Sequence, residues 1–360
     1  MPPVEPDSAL MTASVWTFMR TVAVTGASGY LGRKLLERLG NDPDVSRVIG
    51  IDVREPSVST RNLEFYRLDV RSPDLADVIA GSDAVVHLAA VHLKDPAETH
   101  DVNVTGTRTV VGAADRVGLG TVVFASSHSV YGYHADNDFP LTESSAVRPA
   151  PANAYATSKA EAERVVQYFA ESHPDVAVAT LRLAWVGGPT LGANPVVESP
   201  VRLVIREYEP PTQAVHEDDA AAALVFGLSR RLRGIFNVGA EDTVPRQEEL
   251  YEQRRISLDL ERARRVFDIT ARLGLSPAAA DIGTVMYPQV MSSARIKAAG
   301  FAFERSTEDA VREAADARKE WVALGPARFR PRRAALIAGT FGAVLLGSAV
   351  RKRRPRPEKA

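Results

Sequence analysis

At 360 residues the chain is long enough to bury a large core, as about two domains or one large α/β unit. Its net charge of −1 excludes a general nucleic-acid-binding face, which needs a basic surface. It has no cysteine, which excludes disulfides, Cys-ligated zinc and thiol catalysis and fits a reducing compartment.

Residues 1–20 contain prolines and lack a basic start followed by an apolar core, so they read as a flexible leader, not a secretory signal. Thr21-Val22-Ala23-Val24 is short, apolar and β-branched and predicts a buried strand. Arg33 to Leu39 has apolar residues at helical spacing. Between them lies Thr25-Gly26-Ala27-Ser28-Gly29-Tyr30-Leu31-Gly32. Gly26 permits the tight turn, Gly29 lets a phosphate approach the backbone, and Gly32 lets the helix pack close to the strand. Free N–H groups at the helix start would then face a pyrophosphate. The bland alternative is a Gly-rich turn with no ligand.

Arg47 to Asp52 reads as a second strand ending in an acid, 20 residues after Gly32. A carboxylate there accepts from a ribose 2′-hydroxyl and repels a 2′-phosphate, which favours NAD. Arg33 and Arg54 can pair with that phosphate, so NADP stays open. Leu63 to Val70 predicts a third strand ending at Asp69-Val70, and Leu75 to Ile79 a helix. Ala84 to Ala90 predicts a fourth strand whose small residues, Ala89 and Ala90, suit a cofactor lying over its end. His87 reads as a hydrogen-bonded core histidine. A helix carries Asn103-Val104-Thr105-Gly106-Thr107. Thr121 to Ala125 is the fifth strand, delivering Ser126-Ser127-His128-Ser129-Val130-Tyr131-Gly132.

Residues 133–154 read as a loop, and a helix opens at Tyr155, with Lys159 one turn on and on the same face. Val176 to Leu183 is a sixth strand. Beyond about residue 190 the alternation loosens. Ala214 to Ala223 reads as a short strand feeding a helix, whose Asp218 and Asp219 are capping residues. Ile235 to Val238 is another short strand. Residues 247–273 are arginine-rich with an apolar stripe at Leu260, Ala263, Phe267 and Ala271, and Gly274 is the stop. Thr307 to Leu324 predicts a last helix. An uncharged stretch, Ala334 to Val350, lies between basic runs. As a helix it spans about 26 Å, slightly short of a ~30 Å hydrocarbon core, with basic side chains able to snorkel at both ends.

Strands alternating with helices predict the α/β class: a Rossmann-type doubly wound parallel sheet over 21–183. A smaller, interleaved C-terminal substrate-binding part occupies 184–325, and the basic and apolar tail 326–360. Ligands in such sheets bind at the carboxyl ends of the strands, where Gly26, Asp52, Ala89 and Ser127 fall.

Taken together, the motifs resemble the extended short-chain dehydrogenase/reductase family, of the NAD-dependent epimerase/dehydratase type. The resemblance runs from about Thr21 to Leu324. It rests on the Gly-rich turn, His87-Leu88-Ala89-Ala90, Asn103 to Thr107, Ser126 to Gly132, Pro151 and Tyr155-Ala156-Thr157-Ser158-Lys159. Leu181-Arg182-Leu183 and Val215-His216-Glu217-Asp218-Asp219 complete it. It implies a catalytic group of Ser127, Tyr155 and Lys159, with Ser126 as the near alternative. Tyr155 would take the hydroxyl proton, Lys159 would lower its pKa, and Ser127 would orient the reacting oxygen. The implied cofactor contacts are Gly26, Ser28, Gly29, Tyr30, Leu31, Gly32, Asp52, Asp69, Val70, Leu88, Ala89, Ala90, Asn103, Tyr155 and Lys159. No metal is expected. Two helices per subunit often form dimers in this family, which implies a homodimer.

Departures narrow the function. Sugar-nucleotide dehydratases carry an Asp-Glu pair directly after the Ser/Thr position; here His128 and Ser129 stand there, which argues against water elimination. Many nucleotide-sugar enzymes have an asparagine three residues after the arginine of Leu181-Arg182. Trp185 stands there instead, and either lines a substrate pocket or is core. The expected function is an NAD-dependent epimerase-type oxidoreductase acting on a secondary alcohol, of a nucleotide sugar or a sugar. The rivals are a hydroxysteroid-dehydrogenase-like or ketone-reducing enzyme acting on a lipid-like alcohol, and a non-catalytic NAD-binding protein. The expected location is the cytoplasm, with 334–350 as a membrane anchor.

Overall fold

The computed structural model describes residues 21–92, 95–190, 201–245, 254–272, 282–319, 322–324 and 327–329. The leader over 1–20, the Gly274 stop and the apolar tail over 334–350 lie outside them. Among the described residues no helix is long and apolar enough to cross a membrane.

The first half alternates as the sequence predicts. β1 (Thr21–Thr25), α1 (Tyr30–Asn41), β2 (Arg47–Asp52), β3 (Leu63–Arg67), α2 (Leu75–Val78) and β4 (Ala84–His87) come first. α3 (Pro96–His100) runs through a single π-helical turn, Asp101–Thr105, into α4 (Gly106–Val117). Next come β5 (Thr121–Ser127), α5 (Ala154–Ser172), β6 (Ala177–Leu183) and β7 (Trp185–Gly187). β8 (Val201–Ile205), β9 (Ala214–His216), α6 (Glu217–Ser229) and β10 (Gly234–Val238) follow. The remainder is β11 (Arg254–Leu258), α7 (Leu260–Arg272), α8 (Ala294–Ala298), α9 (Thr307–Lys319), β12 (Val322–Leu324) and β13 (Ala327–Phe329).

Seven strands form one parallel sheet in the order β10-β6-β5-β4-β1-β2-β3. It is covered on both faces, so its central strands read as continuous apolar runs. Successive side chains alternate between the two layers. Val123 and Ala125 join the layer of Leu35, Leu36 and Leu39 from α1 and Ala220, Leu224 and Leu228 from α6. Val122 and Phe124 join the layer of Val110 and Ala114 from α4 and Val166 and Phe169 from α5. The strand order reverses between β1 and β4, which opens a crevice at their carboxyl ends.

Three sequence expectations are corrected. β3 ends at Arg67, so Asp69-Val70 lies in the following turn, where the Asp69 carboxylate accepts from the Arg71 backbone and guanidinium. β4 ends at His87, so Leu88 to Ala90 cross the sheet edge as loop. The last helix stops at Lys319, and Val322–Leu324 pairs antiparallel with Ala327–Phe329. Gly325-Pro326 in the sequence makes a helical continuation unfavourable.

The C-terminal part adds two small parallel pairs, β7 with β9 and β8 with β11. α9 packs on the first through Ala310, Val311, Ala314 and Ala315, and Trp185 packs half-buried on this cluster.

Candidate active site

Gly26 has a left-handed φ of +73°, and a Cβ there would lie 2.6 Å from Ala89 N and 2.8 Å from the Leu88 carbonyl carbon. The turn and the Leu88–Ala90 segment therefore cross in direct contact, which only glycine allows. At Gly32 a Cβ would lie 2.2 Å from Gly26 O, so the third glycine closes the turn on itself. At Gly29 the only neighbour is Gly26 O at 3.2 Å, which leaves that backbone approachable. Gly29 starts α1 with no side-chain cap, and α1 has no acid in its first turn. The N–H groups of this helix start are thus suited to an anion. Gly26→Ala is expected to cost about 1–3 kcal/mol of stability and to weaken NADH binding by more than about tenfold. Urea unfolding and nicotinamide fluorescence check both.

Asp52 closes the far side of the turn. Its Oδ2 accepts from Ser28 N at 3.0 Å and its Oδ1 from Arg54 N at 3.1 Å. Val70 lies against Gly106, where a Cβ would be 2.6 Å from Val70 Cγ1. Leu31 and Gly32 are buried, whereas Tyr30 is half-buried at the helix start. Burial raises the Tyr30 phenol, and the charges of Tyr155 and Glu217 add to the effect.

A directional chain of hydrogen bonds ties the crevice floor together. The Thr107 hydroxyl donates to Asn103 O at 2.6 Å, so its oxygen accepts from His87 Nε2–H at 3.0 Å. His87 Nδ1 then accepts from the Thr25 hydroxyl at 2.7 Å, and Thr25 Oγ1 accepts from Ala89 N at 3.4 Å. The π-helical turn points Asn103 inward, where it bonds both ways to the Val91 backbone and donates to Ser158 Oγ at 2.9 Å. Ser158 in turn donates to Tyr155 O at 2.9 Å.

Burial, with the nearby Lys159 charge, pulls His87 down to about 3. A histidine neutral when folded and protonated when unfolded makes stability fall as pH drops below about 6.5. The His87 contribution between pH 7 and 5 is about 2 kcal/mol. The urea midpoint is expected to fall over that range, and His87→Gln is expected to flatten part of the fall.

β5 and α5 bring Ser127, Tyr155 and Lys159 together. Side chains alternate along β5, so Ser126 and Ser127 leave it in opposite directions. Ser126 donates to the buried Glu163 at 2.5 Å and is removed from the crevice. Ser127 Oγ accepts from Ser129 N at 3.2 Å and from the Ser129 hydroxyl at 3.0 Å. Both acceptor positions are filled, so the Ser127 proton is left to donate. It does so toward Tyr155, whose phenol it lowers while burial raises it; burial wins. Asn153 caps α5 by accepting from Ala156 N at 3.0 Å, which fixes the register of Tyr155 and Lys159.

Lys159 is buried, lies 4.7 Å over the Phe124 ring and donates to Ala125 O at 2.7 Å. Burial pulls its amine down to about 8 against the opposing charge of Glu163. In this arrangement Lys159 is turned to the strand carbonyl. His128 donates from Nδ1 to Leu183 O at 3.1 Å, and burial holds it neutral, at about 4. Sequence reasoning missed His92, whose ring stacks on Tyr155 with centroids 5.4 Å apart. No spacing signals it, because the contact depends on how the loop after β4 folds back.

Residues 22–239 match the model of the NAD dependent epimerase/dehydratase family. The chain belongs to this family. Its members' cofactor is NAD, and the glycine turn, uncapped helix start and Asp52 fit a dinucleotide. Among relatives, the uncharacterized protein Rv0501 of Mycobacterium tuberculosis is 31% identical over 237 residues, 62% of this chain and 63% of that protein. The chain thus spans less than two thirds of that relative's length. The L-arabinose 1-dehydrogenase (NAD(P)(+)) of Haloferax volcanii is 36% identical over 180 residues, 47% of this chain and 68% of that one. The UDP-glucose 4-epimerase of Thermotoga maritima, solved with UDP-glucose, shares the fold with a TM-score of 0.66. It is 19% identical, over 83% of this chain and 98% of that one.

Proposed function

We propose that this protein is an NAD-dependent epimerase-type oxidoreductase that transfers a hydride at a secondary alcohol of a sugar or nucleotide sugar. The observation that carries this reading is that Ser127 acts on Tyr155 while Lys159 reaches Ala125 O at the end of the same strand. Its relatives include a sugar dehydrogenase, a UDP-glucose 4-epimerase and a 4-epimerase of an undecaprenol-diphosphate-linked sugar, which supports a carbohydrate substrate.

Gly26 to Gly32, Asp52 and the Leu88–Ala90 segment would hold NAD, which would supply a reversible hydride acceptor. Tyr155 takes the hydroxyl proton as the carbinol becomes a ketone, and gives it back when the ketone is reduced. Ser127 donates to the reacting oxygen and keeps it against Tyr155. Lys159 would hold the nicotinamide ribose, and its charge near the phenol would favour the phenolate. Asn103 and Ser158 hold the Tyr155 backbone and the crossing loop in register. Reduction of the ketone on its opposite face completes an epimerisation. Water elimination is not proposed, because His128 and Ser129 provide no carboxylate beside Ser127.

The lipid-alcohol alternative depends on Trp185 and the apolar tail. Trp185 packs on α9, and the tail lies outside the described residues. A screen of UDP-sugars, free aldoses and hydrophobic ketones, following reduced nicotinamide and sugar isomers together, tests the reading. Turnover of the hydrophobic ketones alone would overturn it.

We place the second copy of a homodimer on the outer face of α4 and α5. That face holds a groove of about 750 Å³ lined by Val111, Val165 and Phe169, with Tyr168 beside it 74% exposed. Arg108 and Glu161 on this face pair with each other at 3.3 Å. Tyr168→Asp is expected to yield monomers by sedimentation, and an unchanged dimer would contradict the placement.

A further inference from the structure

We propose that His128 is a substrate-binding residue whose Nε2 accepts from a hydroxyl on the carbon next to the reacting carbinol, so that the site selects vicinal diols over isolated alcohols. The inference rests on the sugar reading above and concerns the flank of Ser127 turned away from the glycine turn. In the sheet β5 lies between β6 and β4, and β4 leads on to β1 and its turn. Ser127 pairs in register with Leu183 at the end of β6. His128 follows Ser127 and reaches across to that strand end, with Nδ1 3.1 Å from Leu183 O. It therefore stands beside Ser127 on the side opposite the proposed dinucleotide.

The second ring nitrogen can only accept. A carbonyl oxygen has no proton to give, so Nδ1 carries the hydrogen and donates it. Burial holds the imidazole neutral, at about 4, so Nε2 is a bare lone pair at neutral pH. Among the described residues Nε2 has no protein partner. From Thr121 to Gly132 every residue is buried except His128, which is half-buried. The Ser129 hydroxyl, next along, is spent on Ser127. The open part of His128 thus faces the crevice at the carboxyl end of β5, where ligands of such sheets lie. Ser127 offers the reacting oxygen a donor, and the next residue offers an acceptor. A vicinal diol presents the complement: one oxygen accepts from Ser127 and gives its proton to Tyr155, and the neighbouring O–H donates to His128. An alcohol with only hydrocarbon beside the carbinol leaves Nε2 unpaired and shut off from water, which costs binding.

The test uses full-length protein, NAD and the most active sugar of the panel, beside its monodeoxy derivatives at the two carbons flanking the one oxidised or inverted. One of these derivatives is expected to lose about 10–100-fold in kcat/KM with the wild type. His128→Phe removes Nε2 and is expected to lower kcat/KM for the parent sugar by a similar factor, chiefly through KM, while that deoxy derivative stays within about threefold of its wild-type value. His128→Asn, which can keep a donor for Leu183 O and an acceptor oxygen, is expected to recover part of the loss. NADH affinity, read by nicotinamide fluorescence, is expected to stay near that of the wild type in both variants. Wild-type protein that turns over the parent and both deoxy derivatives equally would overturn the proposal alone. So would a His128→Phe variant that slows parent and deoxy sugars by the same factor. Turnover of none of the sugars would overturn the sugar reading together with this proposal.

Discussion

Tyr155→Phe is expected to lower kcat by about 10³-fold while leaving the fold and NADH affinity near those of the wild type. The phenol oxygen is the group removed, and in the proposed chemistry it is the proton acceptor for the carbinol. General acid–base groups contribute about 10²–10⁴-fold, and no neighbour can replace this one. Ser127 keeps its proton as a donor because its acceptor positions are filled by Ser129. His92 is stacked face-on against the ring, which does not direct a ring nitrogen at the reacting oxygen. His128 is turned to Leu183 O through Nδ1. The ring of phenylalanine retains the His92 stack, and α5 retains its Asn153 cap, so a folding defect is not expected. Steady-state kinetics beside a cofactor titration separates the two effects. A variant with undiminished kcat would remove Tyr155 from the chemistry.

Arg182→Met is expected to destabilise the protein by about 3–5 kcal/mol. Arg182 is 2% exposed and Glu163 6% exposed, and they pair through Nε and Nη2 at 2.7 to 3.2 Å. Arg182 Nη1 donates to the Tyr131 hydroxyl at 2.8 Å, and Tyr131 donates to Asn237 Oδ1 at 2.7 Å. The network therefore locks β5, β6, α5 and β10 at the point where Ser127 leaves the sheet. Removing the guanidinium leaves Glu163 buried with Ser126 as its remaining side-chain donor, and an uncompensated buried charge is the costly outcome. Replacing both partners, as Arg182→Met/Glu163→Gln, is expected to recover more than half of the loss. Urea unfolding of the single and double variants reads the coupling. A single-variant loss below about 1 kcal/mol would show that the pair is not a structural lock.

Much of the nucleotide half was legible because parallel α/β units impose a regular grammar on sequence. A β-branched run, Gly26, Gly29, Gly32 and an amphipathic helix admit few other local structures. The strand ends then gather Asp52, Leu88 to Ala90 and Ser127 automatically. The choice between Ser126 and Ser127 was not legible from residue type, since both are serines. It follows from which side of β5 faces Glu163, a matter of pleat and register. The Asp69–Arg71 pair, the His92 stack on Tyr155 and the turn of Lys159 to Ala125 O depend on loop paths and rotamers that periodicity does not encode. Trp185 had two readings because a tryptophan suits a pocket wall and a core alike, and its half-buried packing on α9 lies outside what periodicity encodes. Past residue 190 the strands are short and pair at long range, so neither β8–β11 nor β12–β13 announced itself.

The most direct test of the account mixes NAD-loaded protein with the panel of UDP-sugars and free aldoses in a single turnover. Reduced-nicotinamide absorbance and the stereochemistry of the recovered sugar are followed in wild type and Tyr155→Phe. The account predicts that at least one sugar produces reduced nicotinamide, transiently with inversion at one carbon, and that Tyr155→Phe suppresses the signal. Absence of both reduced nicotinamide and isomerised sugar across the panel, or an equal rate in Tyr155→Phe, would contradict it.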